Sequence, residues 1–237
     1  MNKVIARISE GLGNQLFMYA HAYAFSKKIG YNLFLDSFSA YKKLKTKSFL
    51  IDRFNLPINL ADNNEIQNTY KKYFFHKIDK KIDFFRDKKK FLIEKKNKDK
   101  STSFQNYENI KFSNIIFVEG HFESEKYFKA YKNEIVSNLT IKNIDPNKFF
   151  IDPKLIHNKN SVSIAVRKNR FSEIKKSSKS LEKSRHFEKS TLDYILRSIS
   201  FLRNKIADPH FFIFSDDPTG LTDFFSSYKD CSVVIHN

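Results

Sequence analysis

The chain has 237 residues, 43 Lys and Arg against 26 Asp and Glu, a net charge of +17, 41 % hydrophobic residues, 16 % aromatic residues and no Trp. That length suits one large or two small domains with packed cores, and the charge calls for an anionic partner: nucleic acid, acidic lipid, a nucleotide-sugar or an acidic glycan. The single cysteine, Cys231, excludes an internal disulfide and reads as a reducing compartment; with neither a signal-peptide h-region nor a membrane-length apolar run, the expectation is a cytoplasmic protein, with a peripheral contact to the anionic inner face of a membrane as its outer limit.

Val4–Ile8 reads as a short buried strand. It runs into Ser9-Glu10-Gly11-Leu12-Gly13-Asn14-Gln15, and a helix follows from Gln15 to Ile29, stopped by Gly30. Leu33–Asp36 is the second strand. Strand, helix and strand in this order make a parallel pair with a right-handed crossover, and Asp36 falls at the carboxyl edge where open α/β sheets hold ligands. The loop offers helix N–H groups to a ligand, with Gly11 and Gly13 allowing close approach and the Asn14 and Gln15 amides able to donate and accept. It lacks the third glycine of a dinucleotide fingerprint, because position 16 is Leu.

Phe49–Leu56 is a short segment ending at Pro57. From Lys71 to Lys100 the chain is at its most basic. Tyr73, Phe74, Ile78, Ile82 and Phe85 recur at helical spacing there, which predicts an amphipathic helix with a solvated Lys face; a membrane-surface or acidic-glycan patch is the sharper alternative. Ile115–Gly120 is another strand, and Phe128, Tyr131, Ile135 and Leu139 give a helical face. Asp145-Pro146 and Asp152-Pro153 mark a linker, dividing the chain into 1–145 and 146–237.

In the second half Ser161–Arg167 is a buried strand whose terminal Arg167 is placed to meet a phosphate. A Ser/Lys-rich loop is expected over 172–189, and Ser190-Thr191-Leu192-Asp193 reads as a capping box opening a helix. Phe211–Phe214 is the next strand, ending in Ser215-Asp216-Asp217. Asp217 is placed to cap a helix with Pro218 at its first position, and Asp216 is the better functional candidate. Val233–Ile235 begins one more strand. The seven histidines are scattered without ligand spacing, and no metal site is expected.

Three strings resemble the bacterial α-1,2-fucosyltransferase family (glycosyltransferase family 11). They are Gly11-Leu12-Gly13-Asn14-Gln15-Leu16-Phe17-Met18-Tyr19-Ala20, the run Glu119–Phe128, and Phe211–Asp217. A fourth, Ala165-Val166-Arg167-Lys168-Asn169-Arg170, keeps the family's diphosphate arginine as Arg167 and a charge at Lys168. It has Ala165 in place of the family's histidine and Arg170 in place of its acidic residue.

The resemblance implies an α/β fold of two Rossmann-like halves facing a cleft, GT-B-like. The first half is the acceptor side, its loop near the donor; the second binds the nucleotide-sugar and ends before the family's Ser/Trp-rich motif. It implies inverting transfer of L-fucose from GDP-fucose to a galactose hydroxyl of a surface glycan, as in lipopolysaccharide O-antigen assembly, with no metal and no cofactor. Arg167 would stabilise the departing diphosphate, and Gly11, Gly13, Asn14, Gln15, Lys168, Ser215, Asp216 and Asp217 would line the substrate site. The base that takes the acceptor proton is open among Glu123, Asp36 and Glu10. Two other readings stand beside this one: an inactive remnant of the family, supported by Ala165, Arg170 and the short end, and a basic nucleic-acid-binding protein, which the three ordered motifs disfavour.

Overall fold

A computed structural model describes residues 1–41, 48–62, 64–66, 70–99, 101–143, 157, 160–171 and 177–235, with backbone alone for 70–73. The chain divides into two compact units, Met1–Asn143 and Ile144–Asn237. Each is a parallel α/β sheet of Rossmann type, as the motifs imply.

In the first unit β1 (Lys3–Arg7), α1 (Leu12–Ile29) and β2 (Asn32–Asp36) form the expected crossover, with Val4 opposite Leu33 and Arg7 opposite Asp36. Gly30 ends α1 in the left-handed region at φ 70°, its N–H donating to the Lys27 carbonyl. The chain then passes α2 (Tyr70–Ile82), a 3-10 turn (Asp83–Phe85), β3 (Lys89–Ile93), β4 (Phe112–Glu119), two further 3-10 turns and α3 (Lys132–Asn138). All four strands are parallel, in the order β2-β1-β4-β3. Val4, Ala6, Ile116 and Val118 bury against Tyr19, Ala22 and Tyr23 of α1.

The basic segment 71–100 is therefore not one helix. It contains α2, the Asp83–Phe85 turn and the edge strand β3, whose Phe91 and Leu92 are buried. Helical spacing ends at Ile82, and in β3 Phe91 packs on His76 and Phe117 on one face of the sheet while Leu92 enters the core on the other. The lysines around them blunt an exposed edge, which hides the strand from a composition argument.

The second unit holds β5 (Ser161–Val166), α4 (Ser178–Arg203), β6 (His210–Ser215), α5 (Leu221–Phe225) and β7 (Cys231–Val234). Its sheet is parallel in the order β5-β6-β7, packed on Ile195, Ile199, Leu221 and Phe225. The expected loop over 172–189 is largely helix: residues 178–189 are the first turns of α4, while 172–176 lie outside the described residues, as do both Asp-Pro pairs of the expected linker. The capping box lies at Ser177 and Ser180 instead of Ser190, with the two side chains and backbone N–H groups bonded reciprocally. Ser190 is mid-helix, where its hydroxyl donates back to the Phe187 carbonyl, an alternative that lets serine sit inside a helix. Asp217 is likewise not a helix cap, since α5 starts after Gly220, which takes φ 75°.

Candidate functional site

β5 and β6 are parallel neighbours with Val166 opposite Ser215, so the loops that follow them leave the sheet at the same carboxyl edge. The Asp216 carboxylate joins them. It accepts the backbone N–H of Lys168 at 2.8 Å and that of Asn169 at 3.2 Å. The Lys168 ammonium donates to the Thr219 carbonyl at 2.7 Å and lies 3.4 Å from Glu188 and 3.8 Å from Asp217. Ser215 closes the second loop, its hydroxyl donating to the Asp217 carbonyl and accepting the Asp217 N–H. Asp217 accepts the Thr219 N–H at 3.1 Å, and the Thr219 hydroxyl together with this N–H holds its carboxyl below the usual range. Lys168, Ser215, Asp216 and Asp217 are thus brought together, and they bond chiefly to one another. Arg167, the first residue after β5, is exposed. Its strand is at one side of the sheet, with β6 central. Arg170 is 4.9 Å from the Phe187 ring and 5.7 Å from the Phe171 ring.

The glycine loop of the first unit is organised by Gln15. This side chain is wholly buried and donates to the carbonyls of Glu10 (2.9 Å) and Ser48 (2.8 Å), while its amide oxygen accepts the Leu50 N–H at 2.8 Å. Its amide is fully used inside the fold, pinning residues 48–50 onto the loop. The bond to the Glu10 carbonyl accompanies a left-handed Glu10, φ 65°. Gly11 is extended, and a Cβ on Gly11 or Gly13 would meet nothing within 4 Å. What these glycines supply is open space over the first turn of α1, beside a half-buried Asn14.

The sheet order changes direction between β1 and β4, the point where parallel α/β sheets open a crevice. A cleft of about 300 Å³ lies there, lined by Arg7, Ser9, Glu10, Glu94, Glu119 and His121 among others. Glu94 is buried and accepts the N–H groups of His121 and Phe122, which fixes the turn after β4. Glu119 is bonded by His76 at 3.1 Å and by Lys80. Burial alone would push its carboxyl up, but His76, Lys80 and Arg7 outweigh burial and hold it down at about 2. Of the three carboxylates considered as base, only Glu10 lines this cleft. Asp36 is buried and accepts from the backbone of Phe38 and Ser39 and from the Ser39 hydroxyl. Glu123 is exposed and reaches His121 at 3.9 Å.

Sequence reasoning missed Glu94 and Glu119 as parts of this cleft, and His76 as the partner that holds Glu119. The usable signal was the Glu119-Gly120 pair at a strand end. Gly120 has φ 154°, and a Cβ there would sit 2.3 Å from the Glu94 Cβ. Among the described residues no group of three or more His, Cys, Asp or Glu is arranged to hold a metal ion.

No family model matches the chain. It is similar to an α-1,2-colitosyltransferase of Escherichia coli, 27 % identical over 222 residues, spanning 92 % of this chain and 70 % of that protein. Its fold is similar to that of the NodZ α-1,6-fucosyltransferase soaked with GDP-fucose, with a TM-score of 0.54 at 13 % identity over all of this chain and 78 % of that one. A second structure, fucosyltransferase NodZ from Bradyrhizobium, gives a TM-score of 0.52 at 15 % identity over 99 % and 78 %. The motifs' resemblance to bacterial fucosyltransferases is thus accompanied by a colitosyltransferase relative in sequence and by fucosyltransferases in fold alone.

Proposed function

We propose that this protein is an inverting glycosyltransferase that moves L-fucose, or a sugar of the colitose kind, from a GDP donor to a galactose hydroxyl of a surface glycan, in α-1,2 linkage. This reading carries with it a cytoplasmic setting and a place in O-antigen assembly. One observation carries it: the Asp216 carboxylate ties together the loops after β5 and β6, and the exposed Arg167 opens the first of them. A guanidinium there is suited to the two phosphates of a departing nucleoside diphosphate, and stabilising that leaving group is the main electrostatic demand of the reaction. The cleft at the end of β1 and β4 is of a size for a sugar ring and holds the polar groups an acceptor needs. Within it Glu10 is the residue proposed to take the acceptor proton. Gln15 and Lys168 contribute by holding loops, and no metal is required.

The test is calorimetric titration of the full chain with GDP-fucose, with UDP-galactose as control. Binding of the GDP donor alone, weakened at least about tenfold by Arg167→Ala, supports the reading. Equal binding of both nucleotides, or none, contradicts it.

A second reading, a remnant that binds the donor without turnover, is favoured by Ala165 and by Arg170, which packs beside Phe187 where the family has an acid. Donor binding with no transfer to any β-galactoside would select it.

A further inference from the structure

Helix α2 is packed inside out. At 3.6 residues per turn, Phe74, Phe75, Ile78 and Ile82 share one arc of about 100°. That arc faces solvent, with the four side chains 42–57 % exposed. The helix is held to the sheet by its polar side. His76 packs edge-on against Phe91 and Phe117 and bonds Glu119; Lys80 also bonds Glu119. Buried Asp83 accepts the N–H groups of Lys90 and Phe91.

The turn that follows is equally deliberate. Arg86 bonds Asp79 at 2.7 Å and Asp83 at 3.2 Å, and the Lys89 ammonium donates to the carbonyls of Asp83, Phe84 and Arg86. This clamp leaves Phe84 and Phe85 outside, 81 % and 85 % exposed, their rings 5.4 Å apart. Six large apolar side chains thus form one exposed patch on a rigid support, which isolated surface residues do not do.

We infer that this patch, Phe74 to Phe85, docks the protein on an anionic lipid surface. The charge around it selects that partner. Between positions 74 and 90 there are seven basic and three acidic side chains. Asp79 and Asp83 are occupied by Arg86 and by backbone N–H groups, leaving Asp87 as the exposed carboxylate. Lys77, Lys81 and Lys88 are exposed and make no ion pair among the described residues. Lysines flanking a phenylalanine-rich apolar face are the arrangement of an interfacial helix: the rings enter the headgroup boundary while the ammonium groups meet lipid phosphates. No helix among the described residues is long and apolar enough to cross a membrane, so the contact is one of lying on the surface. The inference does not depend on the donor chemistry proposed above.

The experiment is flotation of the full chain with vesicles of phosphatidylcholine alone and of phosphatidylcholine mixed with phosphatidylglycerol. The protein is expected to float with the mixed vesicles only, and to be released by high salt. The double substitution Phe84→Ser, Phe85→Ser should lower recovery at least about tenfold with an unchanged circular-dichroism melt, and Lys81→Glu, Lys88→Glu should do the same at low salt. Absence of flotation, equal flotation on neutral vesicles, or full flotation of the phenylalanine variant would each overturn the inference. So would two other results in the absence of vesicle binding. One is a dimer broken by the phenylalanine variant, which would make the patch a contact between copies. The other is polynucleotide binding lost only in the lysine variant, which would make it a nucleic-acid face.

Discussion

The Asp216 carboxylate accepts the backbone N–H of Lys168 at 2.8 Å across 48 positions of sequence, and this one side chain sets the shape of the loop that carries Arg167. Asp216→Ala removes the acceptor for two N–H groups. Because the site is exposed, water replaces part of what is lost, and the expected fall in stability is about 1 kcal/mol. The fall in donor affinity should be larger in proportion, about tenfold, because the loop loses its fixed form. Urea unfolding and donor titration on the same variant check both numbers.

Gly120→Ala should destabilise the first unit by about 3 kcal/mol or more. A Cβ there meets the Glu94 Cβ at 2.3 Å in a backbone region that side chains rarely adopt. Gly13→Ala meets no neighbour and should leave the urea midpoint close to wild type.

His21 should make the protein acid-sensitive below neutrality. Its ring is 1 % exposed, stacked 3.6 Å from Phe122, and neither nitrogen has a hydrogen-bond partner among the described residues. Burial pushes its pKa from 6.5 down to about 3. The unfolded chain therefore takes up a proton that the folded one refuses, and stability is full above pH 6.5 and falls as pH drops toward 3. By about pH 4.5 the loss is on the order of 2–3 kcal/mol. His21→Phe should flatten this slope in unfolding curves taken across that range.

Glu119 acts in a lower window that overlaps the first. Its folded pKa is depressed from 4.5 to about 2, so its contribution is present above 4.5 and is lost as pH falls through 2, up to on the order of 3 kcal/mol. Glu119→Gln should remove that acid-limb slope while leaving the His21 slope in place. A variant that alters both limbs equally would contradict the separation.

The crossover of the first unit and the strands of the second were legible because Val4–Ile8, Ser161–Val166 and Phe211–Phe214 are apolar runs bounded by turn chemistry. The places of Arg167 and Asp216 at the carboxyl edge were legible because they follow such runs. What escaped is what depends on distant partners. β3 is a strand only because β4 lies beside it, and its lysines read as a solvated helix. Ser190 carries a cap residue's chemistry, yet the helix had already begun at Ser178. Gln15 is a loop amide by position and a buried brace by contact, since Ser48 and Leu50 come to it from 33 and 35 residues away. The inside-out packing of α2 rests on Glu119, 43 residues from His76, and no local pattern announces it.

The central claim is tested most directly by incubating the full chain with GDP-fucose and lactose and analysing the product by mass spectrometry and linkage analysis. The expected result is a fucosylated lactose in α-1,2 linkage, lost about a hundredfold or more in Arg167→Ala and in Glu10→Gln. A folded wild-type protein that binds GDP-fucose yet forms no product with lactose or any other galactoside, or one whose turnover survives Arg167→Ala, would contradict it.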